Sequence, residues 1–284
     1  MTEHHEQDVV SADWLAEHLD DDDLRIVDAT WFLPSIDRDG AEEYLAGHIP
    51  GAVFWDIDAI ADPSTSLPHM LPDPLSFMAA MEGLGIGDDT MVVVYDSHGL
   101  MTAARPWWML RHFGHDRVAV LDGGLPNWLA EGRPLTVDAP APREARFSAG
   151  PRPRTLRSLL EVHHLLETGG EQLVDARSVG RFNGNELEPR PNCRSGHMPG
   201  AINLPFNLLL DPDTKCLLPP DQLRSVLAEA GIDPARKITT TCGSGVTACV
   251  LALGMRLAGC EFVAVYDGSW SEWGTRDDVP VETG

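Results

Sequence analysis

One segment combines the residue types of nucleophilic chemistry with a spacing that could use them. It is Cys242-Gly-Ser-Gly-Val-Thr-Ala248, directly behind the β-branched run Thr239-Thr-Thr241. A strand is expected to end at Thr241 and a helix to begin near Thr247, leaving Cys242 to Val246 as a short loop. Gly243 and Gly245 let such a loop fold into a tight arc without a Cβ clash. In that arc the N–H groups of Gly243, Ser244, Gly245, Val246 and Thr247 converge on one point, and the helix N-terminus adds partial positive charge. A cysteine placed there is expected to have a lowered pKa, because that environment favours the thiolate. The chemistry is that of a thiolate nucleophile at the base of an anion cradle. The bland alternative is a small buried cysteine on a glycine-rich turn, and the strand–loop–helix placement speaks against it.

The chain carries its own control. Val94-Tyr-Asp-Ser-His-Gly-Leu-Met-Thr102 matches the same turn, with Asp96 where Cys242 stands. Aspartate cannot carry sulfur as a thiolate does. One copy is therefore expected to keep the nucleophile and the other only its scaffold.

Other segments return as well. His48-Ile-Pro-Gly-Ala52 reappears as His197-Met-Pro-Gly-Ala201, Val27-Asp-Ala29 as Val174-Asp-Ala176, and Val118-Ala-Val-Leu-Asp-Gly123 as Val263-Ala-Val-Tyr-Asp-Gly268, with Trp128 matching Trp273. The spacing, near 147 residues, is far too long for a solenoid and implies two copies of one domain. Between them runs a proline-rich stretch with Pro134, Pro140, Pro142, Pro151 and Pro153, which favours extended, semi-rigid chain. The expected organisation is an N-terminal domain over 8–138, a linker over 139–154 and a catalytic domain over 155–284. Leu24–Val27, Met91–Tyr95, Val118–Leu121, Gln172–Val174, Lys237–Thr241 and Phe262–Val265 read as buried strands. Leu75–Leu84, Thr102–Phe113, Leu156–Glu167, Pro220–Ala230 and Thr247–Leu257 read as helices. Continuous apolar strands alternating with helices imply an α/β fold, each copy a parallel sheet with helices on both faces. Ligands of such sheets bind at the carboxyl ends of the strands.

Composition limits the function. The 284 residues include 43% hydrophobic and 23% charged types, ordinary for globular chains. The formal net charge is −23, with 21 Lys and Arg against 44 Asp and Glu. So acidic a surface repels phosphate backbones and anionic lipid, which argues against nucleic-acid and membrane partners. An anionic substrate must be drawn in by a few well-placed arginines. No apolar run of membrane-spanning length exists, since Thr247–Val265 is broken by Arg256, Gly259 and Glu261. The acidic opening, Met1 to Asp8, lacks the pattern of a secretory signal. Five cysteines (193, 216, 242, 249 and 260) form no C-x-x-C pair and argue against a disulfide framework or zinc site. A reducing, cytoplasmic setting is expected, and a monomer.

The loop Cys242-Gly-Ser-Gly-Val-Thr-Ala248 resembles the active-site loop of the 3-mercaptopyruvate sulfurtransferases within the rhodanese superfamily. The resemblance runs from about Val9 to Val281 and includes the tandem layout, both His-x-Pro-Gly-Ala motifs and the Asp-Gly/Trp segments. It implies two rhodanese-like domains with the reactive cysteine in the second. Related thiosulfate enzymes carry an Arg-Lys pair after the cysteine; Gly243 and Ser244 in those places favour mercaptopyruvate. By the same match, Arg181 and Arg190 hold the substrate's carboxylate and keto oxygen, as bidentate guanidinium groups do well. Surface pairing of an arginine with Glu186 or Glu188 is the alternative, and Arg177 is expected only to brace its loop. Phe54-Trp-Asp-Ile-Asp58 and Pro68-His69 resemble segments whose Asp and His reach the active-site serine. That implies a relay of Asp58, His69 and Ser244, or else a merely polar network. His48 and His197, present in both copies, are expected to be architectural. Cys193, Cys216, Cys249 and Cys260 are expected to be packing residues.

The implied cycle has two halves. Cys242 thiolate takes sulfur from 3-mercaptopyruvate and pyruvate leaves as an enolate, with loop amides worth roughly 3–4 kcal/mol each at the developing charge. A thiol, reduced thioredoxin or cyanide then accepts the outer sulfur. No cofactor or metal is implied. Thiosulfate sulfurtransferase activity through the same persulfide is the first rival. A cysteine phosphatase would need an arginine six residues after the cysteine, where Ala248 stands. A non-catalytic partner-binding module fits the first domain but not the second.

Overall fold

The structure is a computed structural model that describes residues 8–284. The opening stretch read for a secretory signal lies outside the described residues up to position 7. Contacts divide the chain into two compact units. One comprises residues 8–61, 71–152 and 211–217; the other comprises 62–70, 153–210 and 218–284. The expected boundaries are contiguous in sequence, whereas these units are not.

The first unit runs β1 (Val9–Val10), α1 (Ala12–His18), β2 (Leu24–Asp28), α2 (Gly40–Ala46), β3 (Val53–Phe54), α3 (Pro74–Gly83), β4 (Met91–Tyr95), α4 (Ala104–His112), β5 (Val118–Leu121) and α5 (Gly124–Ala130). Its sheet has the order β1-β5-β4-β2-β3 with every pair parallel. The strands expected here form within a residue of their expected ends, because uninterrupted apolar runs are stable only where both sheet faces are covered. Side-chain caps start α1, α2 and α3. Ser11 accepts from the Trp14 amide, Asp39 from Glu42, and Asp73 from Leu75 and Ser76. Leu15, Ile26, Val93, Tyr95 and Trp128 meet in the core.

The second unit runs β6 (Leu156–Arg157), α6 (Leu159–Thr168), β7 (Gln172–Asp175), α7 (Val179–Phe182), β8 (Ile202–Asn203), α8 (Pro220–Glu229), β9 (Ile238–Thr241), α9 (Ala248–Leu257), β10 (Val263–Tyr266) and α10 (Ser269–Trp273). Its order, β6-β10-β9-β7-β8, is again all parallel and repeats that of the first sheet. Val162, Met198, Trp270 and Trp273 pack its core. The expected α/β architecture, two copies each built on a parallel sheet, is the one observed.

One helix expectation fails at its start. Leu156–Arg157 is a strand, pairing with Val265 and Tyr266. The helix begins after Ser158, where a reciprocal box forms: the Glu161 amide donates to the Ser158 side chain and the Glu161 carboxylate accepts from the Ser158 amide. A cap that strong fixes the boundary and frees the preceding residues to join the sheet edge.

The proline-rich stretch is extended, yet it packs on the first unit. Phe147 is buried edge-on to Phe77 at 5.6 Å, and Arg143 donates to the Leu24 carbonyl at 2.9 Å. Both motif histidines are architectural, as expected. His48 stacks on Tyr44 and pairs its backbone with Thr136; His197 stacks on Phe182 and pairs with Glu282.

Candidate active site

β9 ends at Thr241, and the loop from Cys242 leads into α9, as the sequence implies. Four hydrogen bonds with α10 fix the loop's backbone. The Trp270 amide donates to the Cys242 carbonyl at 3.0 Å, and the Ser271 amide and hydroxyl donate to the Gly243 carbonyl at 2.8 and 2.6 Å. The Cys242 amide donates to Ser269 Oγ at 3.2 Å, and that hydroxyl donates onward to the Tyr266 carbonyl at 2.7 Å. Ser269 holds φ +48°, a left-handed conformation that side chains rarely adopt, so its hydroxyl is placed at a backbone cost. Gly245 turns the loop with φ +78°. Two carbonyls are thus turned toward α10. Among the described residues, no group accepts from the amides of Gly243, Ser244, Val246 or Thr247. Four donors left over in one glycine arc are what an anion cradle requires.

Ser244 joins the loop to two further residues. His69 Nδ1 lies 2.9 Å from Ser244 Oγ, and Arg190 Nη2 donates to the same oxygen at 3.1 Å. His69 belongs to the 62–70 segment that is part of this unit. It is 3% exposed and holds φ +61°, a further left-handed residue. Asp58 belongs to the first unit, where it accepts from Trp31 Nε1 at 2.7 Å.

Both expected arginines approach the loop. A Cβ added to Gly243 would lie 3.1 Å from Arg181 Nη2 and 3.5 Å from Arg190 Nη1. The glycine thus admits guanidinium groups against the backbone beside the cysteine. Arg181 pairs with Glu188 through Nη2 at 2.5 Å and Nε at 3.2 Å. The alternative of a carboxylate partner is therefore realised for Arg181, but not at the surface, since the Glu188 side chain is 3% exposed. Glu186 instead accepts from Ser178. Arg177, fully enclosed, braces this arrangement. It pairs with Asp175 and Glu188, donates to the Gly196 carbonyl and lies 4.3 Å over Trp270. Burial alone would lower the Arg177 pKa, but Asp175 and then Glu188 outweigh it and hold the value above the ordinary one. Sequence reasoning missed Ser269, Ser271 and the buried role of Glu188. Only the Glu-Pro-Arg adjacency of Glu188 and Arg190 could have hinted at the last.

Cys242 itself is 2% exposed, which runs against the accessible thiol that the sequence reading needs. Cys249 is buried, its thiol 3.1 Å from the Gly245 carbonyl, as a packing residue should be. Burial raises the pKa of Cys260 and, with added help from nearby carboxylates, of Cys193 and Cys216.

The model of the rhodanese-like domain matches residues 11–131 and again 158–276. The chain belongs to the rhodanese-like family. The 3-mercaptopyruvate sulfurtransferase of Escherichia coli K12 is 43% identical over 274 residues, covering 96% of this chain and 97% of its own. A mitochondrial thiosulfate/3-mercaptopyruvate sulfurtransferase of Arabidopsis thaliana is 41% identical, over 97% of this chain and 78% of its own. The crystal structure of SseA from Escherichia coli, described as a 3-mercaptopyruvate sulfotransferase of rhodanese fold, superposes with a TM-score of 0.84 at 41% identity. It covers 94% of this chain and 100% of that one. The family resemblance read from the Cys242 loop is borne out.

Proposed function

We propose that this chain is a 3-mercaptopyruvate sulfurtransferase working through a Cys242 persulfide. The observation that carries the reading is the Cys242 loop: a cysteine among unclaimed amides, with two guanidinium groups against Gly243. In the first half-reaction the Cys242 thiolate attacks the donor's sulfur and the carbon–sulfur bond breaks. The electron pair of that bond goes to carbon as pyruvate enolate, and the enzyme keeps the sulfur as a persulfide. The amides stabilise the sulfur's negative charge without reorganising. Arg181 and Arg190 orient the donor's carboxylate and keto oxygen.

The enolate carbon must then gain a proton. Ser244, 2.9 Å from His69, is placed to deliver it, and the family resemblance adds Asp58 as the third member of the relay. A thiol, reduced thioredoxin or cyanide next attacks the outer sulfur and returns the thiolate. The chain works as a monomer in a reducing, cytoplasmic setting; the reducing setting is supported by the thiol form of Cys193, Cys216, Cys242 and Cys260.

Intact-protein mass spectrometry after addition of 3-mercaptopyruvate tests the reading. A gain of one sulfur mapped to Cys242 is expected; no gain, or a gain on another cysteine, overturns it. The second reading is thiosulfate as donor through the same persulfide, favoured by the Arabidopsis relative whose name includes both donors. Faster turnover on thiosulfate than on mercaptopyruvate would establish it.

A further inference from the structure

We propose that the first unit carries a binding site for a small tetrahedral oxyanion, formed by Arg25 and Arg143 at the amino-terminal end of β2. Arg25 is a strand residue, opposite Val92 of β4, and only 5% exposed. Among the described residues nothing accepts a hydrogen bond from its enclosed Nε, and no carboxylate pairs with it. The charge acting on it is of like sign: burial first, then Arg143, holds its pKa below the ordinary value, with Tyr44 opposing. An enclosed guanidinium with no anion is among the least favourable arrangements in a folded chain. Other enclosed arginines of this acidic protein do pair with carboxylates, Arg177 with Asp175 and Glu188 and Arg157 with Glu171, whereas Arg25 faces a second guanidinium.

The surroundings are shaped for a ligand. A Cβ at Gly85 would collide with Arg25 Nη2 and come within 3.0 Å of the Arg143 Cβ, so this glycine, at φ +70°, leaves the room that both arginines occupy. Arg143 is fixed there by donating Nη1 to the Leu24 carbonyl at 2.9 Å. Beside them lies a cavity of about 180 Å³, lined also by Gly51, Pro140, Pro142 and Asp21. Two guanidinium forks on one small cavity suit an oxyanion such as sulfate or phosphate. The carboxylate of Asp21 and the net charge of −23 oppose any anion held by the general field. The ligand must therefore be compact and doubly charged, bound by direct pairing.

Calorimetric titration of the full chain with sodium sulfate and sodium phosphate, at constant ionic strength set with chloride, tests this. Acetate serves as the carboxylate arm. Arg190→Ala controls for anions bound at the Cys242 loop. Wild type and Arg190→Ala should share a binding event that Arg25→Met loses and Arg143→Ala weakens at least tenfold. Without added anion, Arg25→Met should melt no lower than wild type, and sulfate should raise the melting temperature of wild type and Arg190→Ala more than that of Arg25→Met. Its sulfur transfer should be unchanged, which reports a correct fold; Arg25→Lys and Arg143→Ala carry the test if Arg25→Met does not fold. Equal sulfate binding by wild type and Arg25→Met, or no binding of either oxyanion, overturns the site. Acetate binding that Arg25→Met loses in the same way overturns the ligand class.

Discussion

The loops after β4 and after β9 share a backbone plan and differ in what fills it. In the first unit the Asp96 carboxylate is fully buried and accepts from four amides: His98 at 2.9 Å, Met101 at 2.9 Å, Thr102 at 2.7 Å and Ala103 at 2.7 Å. The Leu125 amide holds the Asp96 carbonyl at 2.9 Å, as the Trp270 amide holds that of Cys242 at 3.0 Å. One cradle therefore closes on an anion built into the chain. The other presents its amides beside a thiol, with guanidinium groups alongside. The loop's first residue marks the difference between a self-satisfied turn and a reactive one, because the Asp96 carboxylate reaches the amides that a thiol leaves for a second negative atom. The first residue of α10 adds to the contrast with that of α5. Ser269 gives Cys242's amide an acceptor where the first unit has Gly124, a position at which a Cβ would strike the Asp96 and Gly99 carbonyls.

This contrast is open to attack at several points. The largest effect belongs to activity. Cys242→Ser should abolish pyruvate release from 3-mercaptopyruvate, while Asp96→Ala should keep most of it; comparable losses in a steady-state assay would erase the distinction between the loops. Stability should invert the order. Asp96→Ala strands four amides, two of them buried, and should lower the unfolding free energy by about 2–4 kcal/mol, read from the urea transition of the first unit. Cys242→Ser should stay within about 1 kcal/mol of wild type in the same titration. Arg181→Ala or Arg190→Ala should raise KM for mercaptopyruvate at least about tenfold, some 1.4 kcal/mol, with a much smaller change for thiosulfate. Equal losses on both donors would remove the carboxylate assignment. The smallest shift is expected of Ser269→Gly, which gives up one hydrogen bond and relieves a left-handed serine. Its melting curve should imply less than about 1 kcal/mol of change.

Much of the fold was legible in advance. Strands such as Met91–Tyr95 and Val118–Leu121 are uninterrupted apolar runs, and that pattern suffices where both faces are covered. The two-residue strands β1, β3, β6 and β8 were not legible, since nothing local distinguishes them from loop. They are strands because a neighbour offers its free edge, as β10 does for Leu156–Arg157. The capping box of Ser158 and Glu161 is a sequence signal, and it places the helix start after Ser158 rather than at Leu156.

The site divides in the same way. The sequence by itself determined the reactive loop: its cysteine, its glycines and the helix behind it are neighbours along the chain, so local backbone preferences alone bring them together. It also determined that the other loop lacks a sulfur nucleophile. Only the tertiary structure decided that four amides close on Asp96, that Ser269 and Ser271 hold the Cys242 loop from the next helix, and that Glu188 grips Arg181 from an enclosed position. His69, 175 positions from Ser244 in sequence, was named through family resemblance, and its 2.9 Å approach is a fact of packing. The reason is physical. Residues far apart in sequence meet only where the packed core carries them, and whether a charged pair is solvated or enclosed depends on neighbours that no local pattern specifies.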